Sequence, residues 1–189
     1  MKKSLGPKTL AYPTPAWVVG SYDVNGKANV MTAAWAGICC SKPPCVAVSL
    51  RKATYSYGNI MARKAFTVSI PNEKQLAETD YFGIASGRDV DKFAATGLTP
   101  VKSDLVDAPY VAEFPLILEC RVIHVFEIGL HTEFVGEILD VKADEETLNQ
   151  KGEADIAKVK PIIYAPTIRQ YYGIGKYLGA GYEVGKRFK

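Results

Sequence analysis

Histidine is scarce in this chain, with two in 189 residues, His124 and His131. No HExxH pair is present, and no serine–histidine–acid arrangement can be identified, so hydrolytic chemistry has nothing to rest on. The four cysteines, at positions 39, 40, 45 and 120, form no CxxC pair, and histidine partners at metal-binding spacing are missing. That excludes a zinc site. Long apolar runs are also absent. A bilayer span needs about 20 apolar residues, and the most apolar stretch, Thr32 to Cys40, is far shorter. After Lys2-Lys3, the prolines at 7, 13 and 15 leave no continuous segment of signal-peptide type, so a cytoplasmic location is expected, with no membrane partner. Charge of one sign is missing too: 23 basic and 20 acidic side chains leave a net +3, and the lysines are scattered. A nucleic-acid partner, which needs a clustered basic face, is not expected.

What is present fits one ordinary globular domain, residues 1–189, with 48% hydrophobic and 23% charged residues. The pattern is mostly β. Ala16–Asp23 reads as a strand closed by an Asn25-Gly26 turn, with Asn29–Cys39 as its hairpin partner. Ser41-Lys42-Pro43-Pro44 breaks that strand, and Cys45–Arg51 follows with Val46, Val48 and Leu50 on one face. A helix is predicted over Thr54–Lys64, capped by Thr54 or Ser56, then a strand at Ala65–Ile70 and a second helix from Asn72. Gly83–Thr99 reads as a polar loop with one helical turn. Leu116–Phe126 and His131–Val141 form a long hairpin around Gly129, and Ile162–Tyr164 is a last short strand. Many short strands with few helices predict a closed or nearly closed β-barrel with helices at its rim.

Chemistry concentrates in residues 28–57. One strand there is lined with small side chains, Thr32, Ala33, Ala34, Ala36 and Gly37, against which a flat ligand could lie, with Trp35 as an apolar wall. The next strand ends in Arg51-Lys52, and Ala53, Thr54 and Ser56 open a helix. Free N–H groups at a helix start, two hydroxyls and two cations suit a phosphate. Together these features point to a phosphorylated planar cofactor. A capped helix with solvated charges is the structural alternative. Asp89, Asp91 and Lys92 form a second polar knot, read as a surface turn or as a lysine reaching a phosphate. The glycines at 173, 175, 179 and 181 resemble a dinucleotide fingerprint, but they lack the strand before and helix after that such a site needs. His124 falls on a mostly apolar strand face. His131 opens its strand after a glycine turn, where it could project over a pocket. Cys39 and Cys40, adjacent on a strand, should face opposite ways; a bridge to Cys45 across the proline turn is possible but not implied. All four cysteines read as small buried hydrophobes.

The order TAAWAG, SKPP, a strand ending in RK before a hydroxyl-bearing helix start, GRDVDKF, GLHTEFVGE and YYGIGKYLGAGY resembles the flavin reductase-like family of FMN-binding split barrels, from Pro13 to Lys186. The resemblance implies a mainly β fold, a six-stranded antiparallel Greek-key barrel, working as a homodimer with FMN held non-covalently near the interface. It implies that the Asn29–Trp35 strand (Asn29, Thr32, Ala33, Ala34, Trp35) faces the isoalloxazine. Arg51, Lys52, Ala53, Thr54 and Ser56 would bind the phosphate side, with Lys92 adding charge. His131 would sit near the flavin edge as the one candidate catalytic side chain, and Tyr164 would flank the ring. An FMN-dependent electron-transfer protein or oxidoreductase is expected, its donor NAD(P)H or a redox protein. The alternatives are an NAD(P)H:flavin reductase releasing reduced flavin, or a cofactor-free binding module. The Cys39-Cys40 pair lies outside the family pattern.

Overall fold

A link of two residues sets the architecture of the computed structural model, which describes residues 1–189. Strand β1 (Thr14–Pro15) leads into the hairpin of β2 (Trp17–Tyr22) and β3 (Ala28–Ala33). Next come β4 (Ala36–Ser41), β5 (Pro44–Arg51), helix α1 (Tyr55–Arg63), β6 (Ala65–Ile70) and helix α2 (Leu76–Ile84). Helix α3 (Lys92–Thr96) and the small hairpin of β7 (Pro100–Lys102) and β8 (Pro109–Val111) precede the long β9 (Leu116–Ile128) and β10 (His131–Ala143). The chain ends through α4 (Ile156–Val159), β11 (Ile163–Ala165) and β12 (Gln170–Tyr172). The main sheet has the antiparallel order β3-β2-β6-β9-β10-β5-β4. Its two outermost strands, β3 and β4, are joined only by Ala34-Trp35. Such a link reaches roughly 11 Å at full extension, about two strand spacings, so the sheet must roll until its edges meet.

The sequence predicts one strand over Asn29–Cys39, whereas the structure bends it at Ala34-Trp35. There it leaves β2 for β5, and the Trp35 carbonyl accepts from the Ser49 N–H at 2.8 Å. Counted as one bent strand, β3 and β4 make this a six-stranded Greek-key barrel. Side-chain alternation along the strands serves two cores. Val19, Ala33, Val48, Phe66, Val68 and Phe134 fill the barrel. Val18, Val30, Phe82, Phe93, Phe114 and Ile117 pack beneath α2, α3 and β8. Strands β2 and β3 are thus covered on both faces, and removing a ring such as Phe66 would cost about 3–5 kcal/mol.

Glu119 on β9 points away from the barrel interior yet is buried. Lys142 meets it at 3.1 Å and the Asp104 N–H donates to it at 3.2 Å. Asn72 caps the turn before α2 in a capping box with Gln75, as its position in the sequence predicts. The strands β1, β7, β8 and β12 carry no such local signal. No helix is long and apolar enough to cross a membrane.

Candidate functional site

Helix α1 begins without a side-chain cap. Thr54 occupies the cap position, but its hydroxyl donates to the Arg51 carbonyl at 2.9 Å instead of accepting from the helix. The first-turn N–H groups of α1 are therefore left for another acceptor, at the positive end of the helix dipole. Ala53, Thr54, Tyr55 and Ser56 form one wall of a cleft of about 520 Å³. Asn29 and Met31 of β3 form its floor, and residues 82–89 with Lys92 form the opposite wall.

Each wall is held in place by identifiable contacts. Tyr55 Oη donates to Asp23 at 2.8 Å, which fixes the ring at the helix start. The Arg88 guanidinium lies over that ring, 5.8 Å from its centroid, and donates to the Ala53 carbonyl at 2.9 Å. Arg88 thereby bridges the two walls. Asn29 Nδ2 donates to Ser56 Oγ at 2.9 Å, while Asn29 Oδ1 is buried with no donor. An unpaired buried acceptor costs about 1–3 kcal/mol, which a ligand hydroxyl or N–H would relieve. Gly87 lets the facing loop come this close, because a Cβ there would lie 2.0 Å from Asn29 Oδ1.

Lys92 is only 4% exposed, and its Nζ donates to the Val30 and Phe82 carbonyls, both at 2.8 Å. Burial lowers its pKa to about 8. The surface turn read from the sequence is corrected here: Asp91 caps α3 at the surface, as such a turn would have it, but Lys92 and Phe93 turn inward.

Past Gly83 and Ile84 the cleft adjoins a smaller hollow of about 190 Å³, lined also by Thr32, Ala34, Asp80, Tyr164 and Tyr171. The Tyr164 and Tyr171 rings are 5.0 Å apart, and Tyr171 Oη donates to Asp80 at 2.8 Å. Burial, then that bond, pushes the Tyr171 phenol pKa up. The Thr32 hydroxyl donates to the Thr79 carbonyl, tying β3 to α2.

Of the residues singled out from sequence, Asn29, Ala53, Thr54, Ser56 and Lys92 line the main cleft, and Thr32, Ala34 and Tyr164 line the hollow beside it. Trp35 lies in a separate groove of about 450 Å³ against Lys8–Ala11 and Pro13–Pro15. Ala33 points into the barrel core. Arg51, Lys52 and His131 do not line the cleft. Lys52 Nζ pairs with Glu127 at 2.7 Å, and Arg51 stands opposite His131 in the β5–β10 register. Sequence reasoning missed the wall at 83–88. Its signal is the Ser86-Gly87-Arg88 run, a hydroxyl and a cation around the one residue that permits close backbone approach.

A family model described as "Flavin reductase like domain" matches residues 9–174. The structure of flavoredoxin of Desulfovibrio vulgaris (Miyazaki F) is 56% identical and covers 98% of this chain and 100% of its own, with a TM-score of 0.95. Flavoredoxin from Methanosarcina acetivorans is 32% identical, with 100% of both chains covered and a TM-score of 0.93. A relative in Rhodococcus opacus, "4-nitrophenol 4-monooxygenase/4-nitrocatechol 2-monooxygenase, reductase component", is 30% identical over 104 residues, 55% of this chain and 52% of that one.

Proposed function

The chain belongs to the flavin reductase-like family, and from that premise we propose that it is an FMN-binding flavoprotein of electron transfer whose cofactor occupies the cleft between α1 and residues 83–89. The observation that carries this reading is the uncapped first turn of α1 facing Arg88 and Lys92. The first-turn N–H groups and the hydroxyls of Thr54 and Ser56 would hold a phosphate, with both cations balancing its charge. Asn29 Oδ1, which has no donor, suits a hydroxyl of the ribityl chain. The hollow of about 190 Å³ beside Thr32, Ala34, Ile84 and Tyr164 would take part of the ring.

When bound, the flavin supplies the redox chemistry, taking a hydride or single electrons at its N5. The chain's own groups bind and orient. The Tyr164–Tyr171 pair would cover the ring in the hollow, and Arg88 and Lys92 would hold the phosphate end. No side chain needs to act as a general acid or base. His131 faces Arg51 across β5 and β10, and Arg51 precedes the cleft residue Ala53 by two positions, so in this reading a donor would approach on their side. Alanine in place of His131 is expected to slow reduction while leaving FMN affinity unchanged; an unchanged rate removes His131 from the mechanism.

A homodimer is part of this proposal. The far ends of β9 and β10 expose Phe126, Ile128 and Leu130, and the tail exposes Tyr177, Leu178 and Tyr182. A second copy would cover these faces, and light scattering of the purified protein tests it. A cytoplasmic site of action is likewise proposed.

The test of function is a visible spectrum of the purified protein, before and after NADH and NADPH are added under argon, with FMN and riboflavin titrations alongside. Retained FMN supports the reading, and a colourless protein that binds neither flavin overturns it. The second reading, a reductase that hands reduced flavin to a partner oxygenase, is favoured by the Rhodococcus relative. Multiple turnovers of added free flavin with NAD(P)H would select it.

A further inference from the structure

Away from the cleft, the hairpin of β4 and β5 gathers three of the four cysteines around one turn. Cys40 stands directly opposite Cys45, one pair in from Ser41 and Pro44. Directly paired residues in an antiparallel ladder have Cα atoms about 4.5 or 5.5 Å apart, and both spacings fall within the span a disulfide accepts, about 4.4–6.8 Å. Residues paired directly across an antiparallel ladder carry their side chains on one face of the sheet, so the two cysteines share a face.

The neighbouring cysteines are placed differently. Cys39 sits at the register shift between Ile38 and Cys40, outside the pair. Cys120 lies on β9 in the barrel core, fully buried. Cys40 is exposed and Cys45 buried, with the Cys45 Sγ–H donating to the Pro43 carbonyl at 3.4 Å. One sulfur is thus open to reagents, and its partner waits behind it.

We propose that Cys40 and Cys45 form a redox-active dithiol that closes reversibly into a cross-strand disulfide by exchange with small-molecule disulfides. The Cys40 thiolate attacks the small disulfide RSSR, forming a mixed disulfide and releasing one RS⁻, which takes up a proton. Cys45 then loses its proton to solvent and attacks the Cys40 sulfur. The Cys40–SR bond breaks and a second RS⁻ leaves and is protonated. In sum, two thiols are oxidised by two electrons, and one RSSR is reduced to two RSH. Cys45, held protonated by burial, acts second, as a resolving thiol should. The ring closed is short, so little chain entropy is removed. The effect is local: the bond would pin β4, the last strand in the sheet order, against β5.

The test uses the full-length protein as purified, incubated with oxidised glutathione under argon, alkylated and mapped by electron-transfer fragmentation. The expected result is a fall from four free thiols to two, a Cys40–Cys45 linkage, and full recovery with dithiothreitol. In a Cys39→Ser/Cys45→Ser variant, Cys40 should stop at a stable glutathione adduct. Four thiols remaining in the wild type, oxidation that stops at mixed disulfides, or a linkage involving Cys39 or Cys120 would each overturn the proposal. Mapping the wild type decides the question even where a variant folds poorly.

Discussion

Two pairs of cations flank the start of α1, and they end up in opposite circumstances. Arg51 and Lys52 come from the end of β5, where sequence points to them as phosphate ligands. Lys52 instead reaches across to Glu127 and stays about half exposed, and Arg51 remains in solvent. Arg88 and Lys92 come from a stretch that reads as a polar loop, yet both line the cleft and Lys92 is buried against two carbonyls. The difference shows that closeness in sequence to a helix start does not aim a side chain at it. A residue ending a strand follows the strand's alternation. A loop cation reaches the helix start only where the backbone lets the loop approach, and here Gly87 does so.

The largest effect expected on this comparison is at Lys92. Lys92→Met leaves the Val30 and Phe82 carbonyls without their donor, which should cost on the order of 2 kcal/mol or more of stability. It should also weaken FMN by at least tenfold. Urea unfolding and calorimetric titration read the two effects separately. A fully stable variant that still binds FMN tightly would place both cation pairs on the same footing.

Next comes Arg88. Arg88→Gln removes one charge-assisted contact and should weaken FMN about tenfold, roughly 1.4 kcal/mol, with little change in riboflavin affinity. Equal losses for both flavins would move the phosphate away from this wall. Gly87→Ala, which drives a methyl into Asn29 Oδ1, should weaken both flavins, because it closes the cleft itself.

The Lys92 ammonium also sets a pH dependence. Its folded pKa of about 8 lies below the ordinary 10.5. Between those values the unfolded chain binds the extra proton, so stability of the cofactor-free protein should rise with pH through that window. The penalty for burying the charge is fully present below pH 8 and relieved above 10.5. FMN binding runs the other way. A phosphate beside Lys92 favours the charged form, so binding near pH 8.5 should take up a proton and weaken as pH rises, whereas riboflavin binding should not. Titrations in buffers of different ionisation enthalpy measure the uptake, and its absence would mean that Lys92 only braces the loop.

Sequence legibility follows the same division. The long strands, α1, the Asn72 cap and the Gly129 turn were readable because period, cap and turn chemistry are local. So was the placement of Thr54 and Ser56 at a helix start, whereas Asn29 entered only through the family resemblance. The break at Ala34-Trp35 was not readable, since it comes from closure of the barrel, and the residues there favour a strand on either side. Strands β1, β7, β8 and β12 were missed for a similar reason: two or three residues long, the first three each with a proline, they exist because a partner strand is there. The inward turn of Lys92 was hidden because no local signal records that α2 and β3 present two carbonyls to one ammonium. Ala33 shows the opposite error. A stripe of small residues suggested a ligand face, but every second residue of a barrel strand must point inward.

The smallest expected effect is at Lys52, and it sharpens the comparison most. Its pair with Glu127 is exposed, so Lys52→Ala should leave stability nearly unchanged and FMN affinity within roughly twofold. Arg88→Gln at the same ionic strength provides the contrast, because the two variants each remove one positive charge near α1. If affinity followed only the summed charge around the helix start, both would weaken FMN alike, and both effects would shrink together as salt screens them. If contact geometry decides, only Arg88→Gln should matter, with most of its effect surviving at high salt. A loss at Lys52 as large as at Arg88 would therefore return the phosphate to the end of β5, where the sequence alone first places it.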